Sequence, residues 1–374
     1  WCVQKCPYCD FNSHTTTAAL PEQDYIAALL SDLAADIKRF HITRPLTSIF
    51  IGGGTPSLFS GTAVRTLLDG IRQHLVLDKH CEITLEANPG TVDEQHFAAY
   101  LQSGVNRLSI GVQSFSPVQL QRLGRIHNPS EAVRAVKTAQ AVGFDNINID
   151  VMFGLPQQSE AQAMADIEQA IALHTEHLSY YQLTLEPNTA FAYRPPQLPD
   201  EDRIDRRFER AKQLLQQAGW QRYEVSAWSR GQQAKHNLNY WQYGDYLGIG
   251  AGAHGKITDN RQNRIIRTAK PRSPKSYLQY FSCYSSAPLT ITESHERIVG
   301  EDEKAFEFML NVLRLTHGFQ RQWIAQRGLI EENKVLPKLQ QLAAKGLLII
   351  GKEHISPTAL GENFVNDMVS DFLE

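Results

Sequence analysis

Cys2, Cys6 and Cys9 fall at a CxxxCxxC spacing in Trp1-Cys-Val-Gln-Lys-Cys-Pro-Tyr-Cys-Asp10. One short loop of this kind can give thiolates to three irons of a [4Fe-4S] cubane and leave the fourth iron open. The amino and carboxylate groups of S-adenosylmethionine (SAM) can chelate an iron left open in this way. An electron from the cluster can then break a C–S bond of the cofactor and release a 5′-deoxyadenosyl radical, chemistry that belongs to the cofactor while the protein positions it. Two other readings compete. Structural zinc asks for four closed ligands, usually in two separated pairs; His14 could be the fourth, yet the chain has no second pair. A disulfide framework fails on arithmetic, because the total of 5 cysteines is odd and Cys81 and Cys283 stand alone.

Further polar residues sit where a cofactor would need them. Gly52-Gly53-Gly54-Thr55-Pro56 follows an apolar run directly. Its backbone N–H groups and the Thr55 hydroxyl suit the amino or carboxylate end of SAM. Glu86, Gln113, Arg125 and Asp150 lie at or near the ends of later apolar runs. A carboxylate at Glu86 can accept from an ammonium, and Arg125 can pair with a carboxylate in bidentate fashion. Gln113 and Asp150 suit ribose hydroxyls, and Tyr8 is placed to lie against adenine or to pack beneath the cysteine loop. Any one of these would more simply be a strand-end cap. A set on successive units is harder to explain that way.

The elements that must position these residues alternate regularly. Helical periodicity covers Glu22–Phe40, Thr62–Leu75, Asp93–Ser103, Ser130–Val142 and Glu160–Leu173. Between them lie apolar runs at Leu46–Ile51, Glu82–Glu86, Val105–Val112, Asn146–Val151 and His177–Leu183. This is the beat of βαβ units with right-handed crossovers, and it favours a parallel α/β barrel or part-barrel, with an open sheet as the other arrangement. A helix over Asp202–Ala218 is followed by a stretch expected to be β-rich, including Tyr223–Trp228 and Tyr246–His254. A helix around Ser276–Phe281 closes a first domain, residues 1–283. From Glu301 to Glu374 the pattern changes to helices over Lys304–Leu315, Gln320–Arg327 and Lys334–Lys345. A hairpin at Leu347–Ile350 and His354–Ile355 follows, then a last helix from Pro357. That order is winged-helix-like. With 8 Lys/Arg against 11 Asp/Glu the segment lacks the basic footprint of a nucleic-acid binder and reads as a packing or partner-contact module.

The whole chain has 374 residues, 42% hydrophobic and 21% charged, with a formal net charge of −3, so neither nucleic acid nor an anionic membrane is indicated as partner. No apolar run is long enough to span a bilayer. Free cysteines beside an oxygen-sensitive cluster point to a reducing, cytoplasmic setting. The chain opens one residue before its first candidate ligand, so a preceding strand is expected upstream.

The CxxxCxxC loop, Gly52-Gly-Gly-Thr-Pro56, Glu86-Ala-Asn-Pro-Gly90, Gly111-Val-Gln-Ser-Phe115, Leu123-Gly-Arg-Ile-His127 and Ile147-Asn-Ile-Asp-Val-Met-Phe-Gly-Leu-Pro156 follow one another in order. In this set, over nearly its whole length, the chain resembles the radical SAM proteins related to oxygen-independent coproporphyrinogen III oxidase. The resemblance implies a (β/α) partial barrel with a small C-terminal α+β domain. It also implies a [4Fe-4S] cluster on Cys2, Cys6 and Cys9, and SAM contacts at Gly53, Gly54, Thr55, Glu86, Gln113, Arg125 and Asp150. Two branches share that core. The oxidases carry a further cysteine two residues after the third ligand, where this chain has Phe11. The branch of heme chaperones is matched better by Cys6-Pro-Tyr-Cys-Asp-Phe-Asn-Ser13 and by His236-Asn-Leu-Asn-Tyr-Trp241, which resembles an HNxxYW motif linked there to heme binding. His236 could then ligate iron while Tyr240 and Trp241 pack on the porphyrin. A hydrogen-bonded structural histidine in a β-rich region is the plainer alternative, and His254 is another possible ligand. The resemblance implies a chaperone that carries heme as cargo to acceptor hemoproteins, membrane proteins among them, and that takes electrons from a donor. Oxidative decarboxylation of coproporphyrinogen III is the alternative, and a radical reaction on an unrelated substrate is a third.

Overall fold

The computed structural model describes residues 1–16, 18–282 and 296–373. Cys283 and much of the expected boundary between 283 and 301 lie outside them. The chain divides into two units: Trp1–Ile26, Arg44–Gln221 and Ser226–Gln233 form one, and Ala27–Thr43, Arg222–Val225 and Ala234–Glu374 the other.

The first unit is a half-barrel built from a mixed sheet. Helix α1 (Glu22–Phe40) begins in it. Strands β1 (Leu46–Ile51), β2 (Leu77–Ala87), β3 (Arg107–Gln113), β4 (Ile147–Phe153) and β5 (His177–Gln182) pair in sequential order and in parallel. The short β6 (Gln221–Arg222) and β7 (Ala227–Ser229) end the sheet, β7 running antiparallel to β5. The crossovers carry α2 (Gly61–His74), α3 (Glu94–Ser103), α4 (Pro117–Arg122), α5 (Pro129–Val142) and α6 (Glu160–Ala172). After β5 come α7 (Ala190–Tyr193) and α8 (Glu201–Gln217). Leu85, Ile110, Ile149 and Leu178 are fully buried and share one face of the sheet by register, while Glu86, Ser109, Asn148 and Asp150 alternate onto the other.

Local signals set the helix limits. Asn128 with Glu131, and Ser159 with Gln162, form reciprocal capping boxes at the starts of α5 and α6. Gly104 and Gly143 end α3 and α5 in the left-handed conformation.

The second unit contains helix α9 (Lys235–Trp241), the hairpin β8 (His254–Asp259) and β9 (Arg264–Ala269), α10 (Pro274–Ser282) and the edge strand β10 (Glu296–Ile298). Next come α11 (Glu303–Val312), β11 (Phe319–Gln320), α12 (Trp323–Gln326), α13 (Glu332–Ala344), β12 (Leu348–Ile350), β13 (His354–Pro357) and α14 (Val365–Ser370). The last three strands form an antiparallel sheet in the order β11-β13-β12, and helices α11–α14 make this a small α+β domain. Its core is Phe308, Met309, Phe319, Leu339, Ile355 and Met368, with their buried neighbours.

Three sequence expectations change here. Residues 247–253 are irregular rather than β, while Tyr246 keeps a single antiparallel bridge to Lys256 and strand structure resumes at His254. A Cβ on Gly248 would come 1.9 Å from the His254 carbonyl oxygen, so the chain passes close to itself there. The residues around His236 form a helix rather than β structure. Pro357 ends β13 opposite Leu348 instead of opening the last helix, which starts at Val365. Among the described residues no helix is long and apolar enough to cross a membrane.

Candidate functional site

The cysteine loop is closed by its own backbone. The Cys2 N–H donates to the His14 carbonyl at 2.9 Å, Thr16 N–H returns to the Cys2 carbonyl at 3.1 Å, and Cys9 N–H reaches the Cys6 carbonyl at 3.2 Å. Cys2 is buried, while Cys6 and Cys9 are half-buried. Burial raises the Cys9 thiol above its ordinary value, and the neighbouring Cys6 and Cys2 add to the rise. Among the described residues no three His, Cys, Asp or Glu side chains are drawn together as a finished metal site. The chemistry of the donors still fits an iron–sulfur cluster. Three thiols share one loop, and the Arg125 guanidinium donates to Cys6 Sγ at 3.8 Å. His14 instead has its ring at 3.3 Å from the Asn12 side chain.

The glycine turn after β1 lies on that loop. Thr55 N–H donates to the Trp1 carbonyl at 2.7 Å, and the Thr55 hydroxyl lies 3.4 Å from Cys2 Sγ. Gly54, at φ +63°, leaves room for the Trp1 carbonyl, which a Cβ would meet at 2.7 Å. Gly53, at φ +83°, has open space where a side chain would stand, and its N–H donates to Glu86 Oε2 at 3.0 Å. A cradle of this kind admits a ligand against bare backbone.

Glu86 and Gln113 at the ends of β2 and β3, Asp150 in the middle of β4 and Arg125 in the loop after α4 bring the remaining side chains toward the same place. Burial and the nearby Asp150 carboxylate push the Glu86 carboxyl up to about 7. Asp150, raised by burial, accepts from Asn148 Nδ2 at 2.8 Å and from the Ser109 hydroxyl at 3.3 Å. A carboxyl raised by burial beside a second carboxylate suits a cation or hydroxyl donors between them. Arg125 donates from Nη2 to the Gly111 carbonyl at 2.6 Å, while its buried Nε has no partner. Gln113 is buried and accepts from the Tyr181 hydroxyl through Oε1 at 2.6 Å. Tyr8 packs with Tyr181 against Leu123, Met152, Leu155 and Leu183, and burial pushes its phenol upward while the Arg125 charge opposes the rise.

Tyr181 was absent from the sequence reading. Its phenol is driven upward by burial, with Tyr8, Asp150 and Glu86 adding to the rise and Arg125 opposing it, which places it among the candidate SAM residues. The signal that could have found it is its place near the C-terminal end of β5, the same position that drew attention on earlier strands.

The second unit carries the other candidates. His236 and Tyr240 sit four residues apart on α9, with ring centroids at 6.3 Å, and Tyr240 meets Tyr246 edge-on at 4.7 Å. Trp241 and Leu238 instead pack against the core of the α+β domain, and the Arg314 guanidinium lies 5.3 Å over the indole. Asn237 Nδ2 donates to the Tyr223 hydroxyl and to Glu224 Oε1, both at 3.2 Å, and Asn239 Nδ2 to the Asp245 carbonyl at 3.0 Å. Half-buried His236 and Tyr240 therefore share one side of α9, and Trp241 does not join them there. His254, at the start of β8, is exposed.

Comparison with known proteins bears on both units. The model of the radical SAM superfamily matches residues 1–170, and that of the HemN C-terminal domain matches residues 299–362. The chain is 49% identical over 375 residues to the heme chaperone HemW of Escherichia coli, with 100% of this chain and 96% of that protein covered. It is 45% identical over 377 residues to the heme chaperone HemW of Haemophilus influenzae, at the same coverage. The chain belongs to the HemW family. Among solved structures, coproporphyrinogen III oxidase (HemN) from Escherichia coli is similar in fold, with a TM-score of 0.79, 20% identity and coverage of 99% of this chain and 87% of that one. HemW membership favours the chaperone reading over the oxidase reading. As radical SAM proteins, HemW-family chains are associated in general terms with SAM and a [4Fe-4S] cluster.

Proposed function

We propose that this HemW-family chain is a heme chaperone that binds heme and passes it to acceptor hemoproteins. Full-length identity of 49% to a protein named as a heme chaperone carries the proposal. Phe11 supports it, since a large, exposed phenyl ring stands where the oxidases place a further cysteine. In this reading Cys2, Cys6 and Cys9 hold the cluster. Arg125 pairs with the SAM carboxylate, Glu86 accepts from the SAM amino group beside Gly53 and Gly54, and Gln113 and Asp150 hold ribose hydroxyls. Bound there, the cluster and SAM supply one-electron chemistry, with electrons from a separate donor. His236 and Tyr240, on one side of α9, are the residues we assign to heme, and Trp241 fixes the helix that presents them. The setting is cytoplasmic, with residues 1–283 as the cofactor-bearing part and residues 301–374 as a packing or partner-contact module.

The test is a heme titration of anaerobically reconstituted protein, with His236→Ala alongside. A saturable Soret shift near about one heme per chain, weakened in the variant, is the expected result. Absence of saturable binding would remove the chaperone function, and equal binding by the variant would move the heme site elsewhere.

A further inference from the structure

Gln113 has an unusual backbone. It is buried, it is not glycine, and it sits at φ +70°. A side chain in the left-handed region is strained and persists only where surrounding contacts over-determine it. The strand is irregular at the same point: Gly111 pairs with Asp150 and Gln113 with Val151, so β3 bulges at Val112. Bulges of this kind re-aim a side chain beside a site.

Side chains from outside the sheet hold both flanks of Gln113. On one flank, Arg125 takes the Gly111 carbonyl at 2.6 Å, and His127 Nε2–H donates to the Val112 carbonyl at 3.1 Å. His127 is buried, its Nδ1 is unpartnered, and burial, together with the Arg125 charge, pushes its pKa down to about 4. It is therefore a neutral, single-donor imidazole. On the other flank, the buried Asp166 of α6 accepts from the Ser114 hydroxyl at 2.8 Å and from the Phe115 N–H at 2.7 Å. Gln158, in the loop after β4, reaches the same carboxylate at 3.4 Å.

We propose that His127 and Asp166 are positioning residues that clamp Gln113 from both sides and so preform the SAM pocket. His127 lies two residues after Arg125, so its bond to Val112 also fixes the segment that presents the guanidinium. The clamp thus ties two cofactor-facing side chains to one strand end. This inference rests on the SAM reading of the site given above.

The experiment titrates SAM into reconstituted protein by calorimetry and follows the SAM-induced change in the electron paramagnetic resonance spectrum of the reduced cluster. Both His127→Leu and Asp166→Ala should keep their iron content and weaken SAM binding by about tenfold, the loss of one or two buried hydrogen bonds. In His127→Gln the amide N–H can reach the same carbonyl. In Asp166→Asn the carbonyl can still accept from Phe115. Each conservative variant should recover affinity to within about threefold of the parent. Loss of SAM binding from packing damage alone would not show that recovery. If His127→Leu does not fold, the Asp166 pair decides. Parent-like affinity in the disruptive variants overturns the clamp, and so does an equal loss in the conservative ones. Arg125→Ala separates the two levels: if it alone weakens SAM, the clamp fails and the site stands. If no variant weakens SAM, the site reading fails with it.

Discussion

The two candidate regions gather their residues in opposite ways. In the half-barrel, side chains from residue 2 to residue 181 converge on one place, each brought there by a different strand end or loop. On α9 the candidates are neighbours in sequence, and the helix separates them. Leu238 and Trp241 turn into the core, Asn237 and Asn239 bind the surrounding chain, and His236 and Tyr240 share another side. Adjacency is cheap to explain by local structure, because a seven-residue helix must be anchored by its side chains. Convergence across many units has no such local explanation. The first region is thus organised around a shared centre, and the second is a structural helix with two residues left to act.

The largest effect should come from the cysteines. Cys2→Ser, Cys6→Ser and Cys9→Ser should each abolish the cluster absorbance of reconstituted protein, since three thiolates are the minimum set for such a cluster. Retained absorbance in all three would dissolve the centre on which the comparison rests. Arg125→Ala comes next. Its buried Nε has no partner and its Nη2 already serves Gly111. Its removal should weaken SAM binding by about 1.5–3 kcal/mol, the range for a charged hydrogen bond. An unchanged dissociation constant would take Arg125 out of the site.

How much of this was legible from sequence differs between the regions for the same reason. The limits of α1 and β1 are legible because a long amphipathic helix repeats at 3.6 residues and the short apolar run Leu46–Ile51 is bounded by Pro45 and Gly52. Glu86 and Gln113 were legible at the ends of β2 and β3, whereas Asp150 falls in the middle of β4 and Arg125 on no strand, positions that a repeating unit does not predict. The left-handed backbone of Gln113 was not, because its cause lies in His127 and Asp166, 14 and 53 residues away. Tyr181 was missed because a tyrosine in a strand reads as core. Helix α9 was read as β because a segment this short takes its form from tertiary packing, here of Leu238 and Trp241.

Glu86 offers a sharper test of the convergent site through pH. Its carboxyl is raised to about 7 by burial and by Asp150. An N–H of the SAM amino group donates to the ionised form, so each proton on Glu86 weakens SAM binding. Affinity should therefore rise with pH as Glu86 ionises, by about tenfold between roughly pH 5.5 and 7.0. Chelation also needs the amino group free of its extra proton, which adds to the rise in parent and variant alike. Glu86→Gln cannot titrate and should give a shallower, weaker profile in the same calorimetric titration. A parent profile no steeper than that of the variant would mean that the amino group lies elsewhere.

The smallest effect divides α9 itself. Asn237→Ala strips a donor from Tyr223 and Glu224, both buried. It should cost about 1–2 kcal/mol of stability, read as a lowered urea midpoint, while heme affinity stays at the parent value. His236→Ala should do the reverse, lowering heme affinity with a smaller change in the urea midpoint. If both variants lose heme binding in proportion to lost stability, the helix acts as a unit and no residue on it is a dedicated ligand. If only His236→Ala loses it, structural and ligand roles alternate along the six-residue motif, and adjacency in sequence has hidden two separate functions.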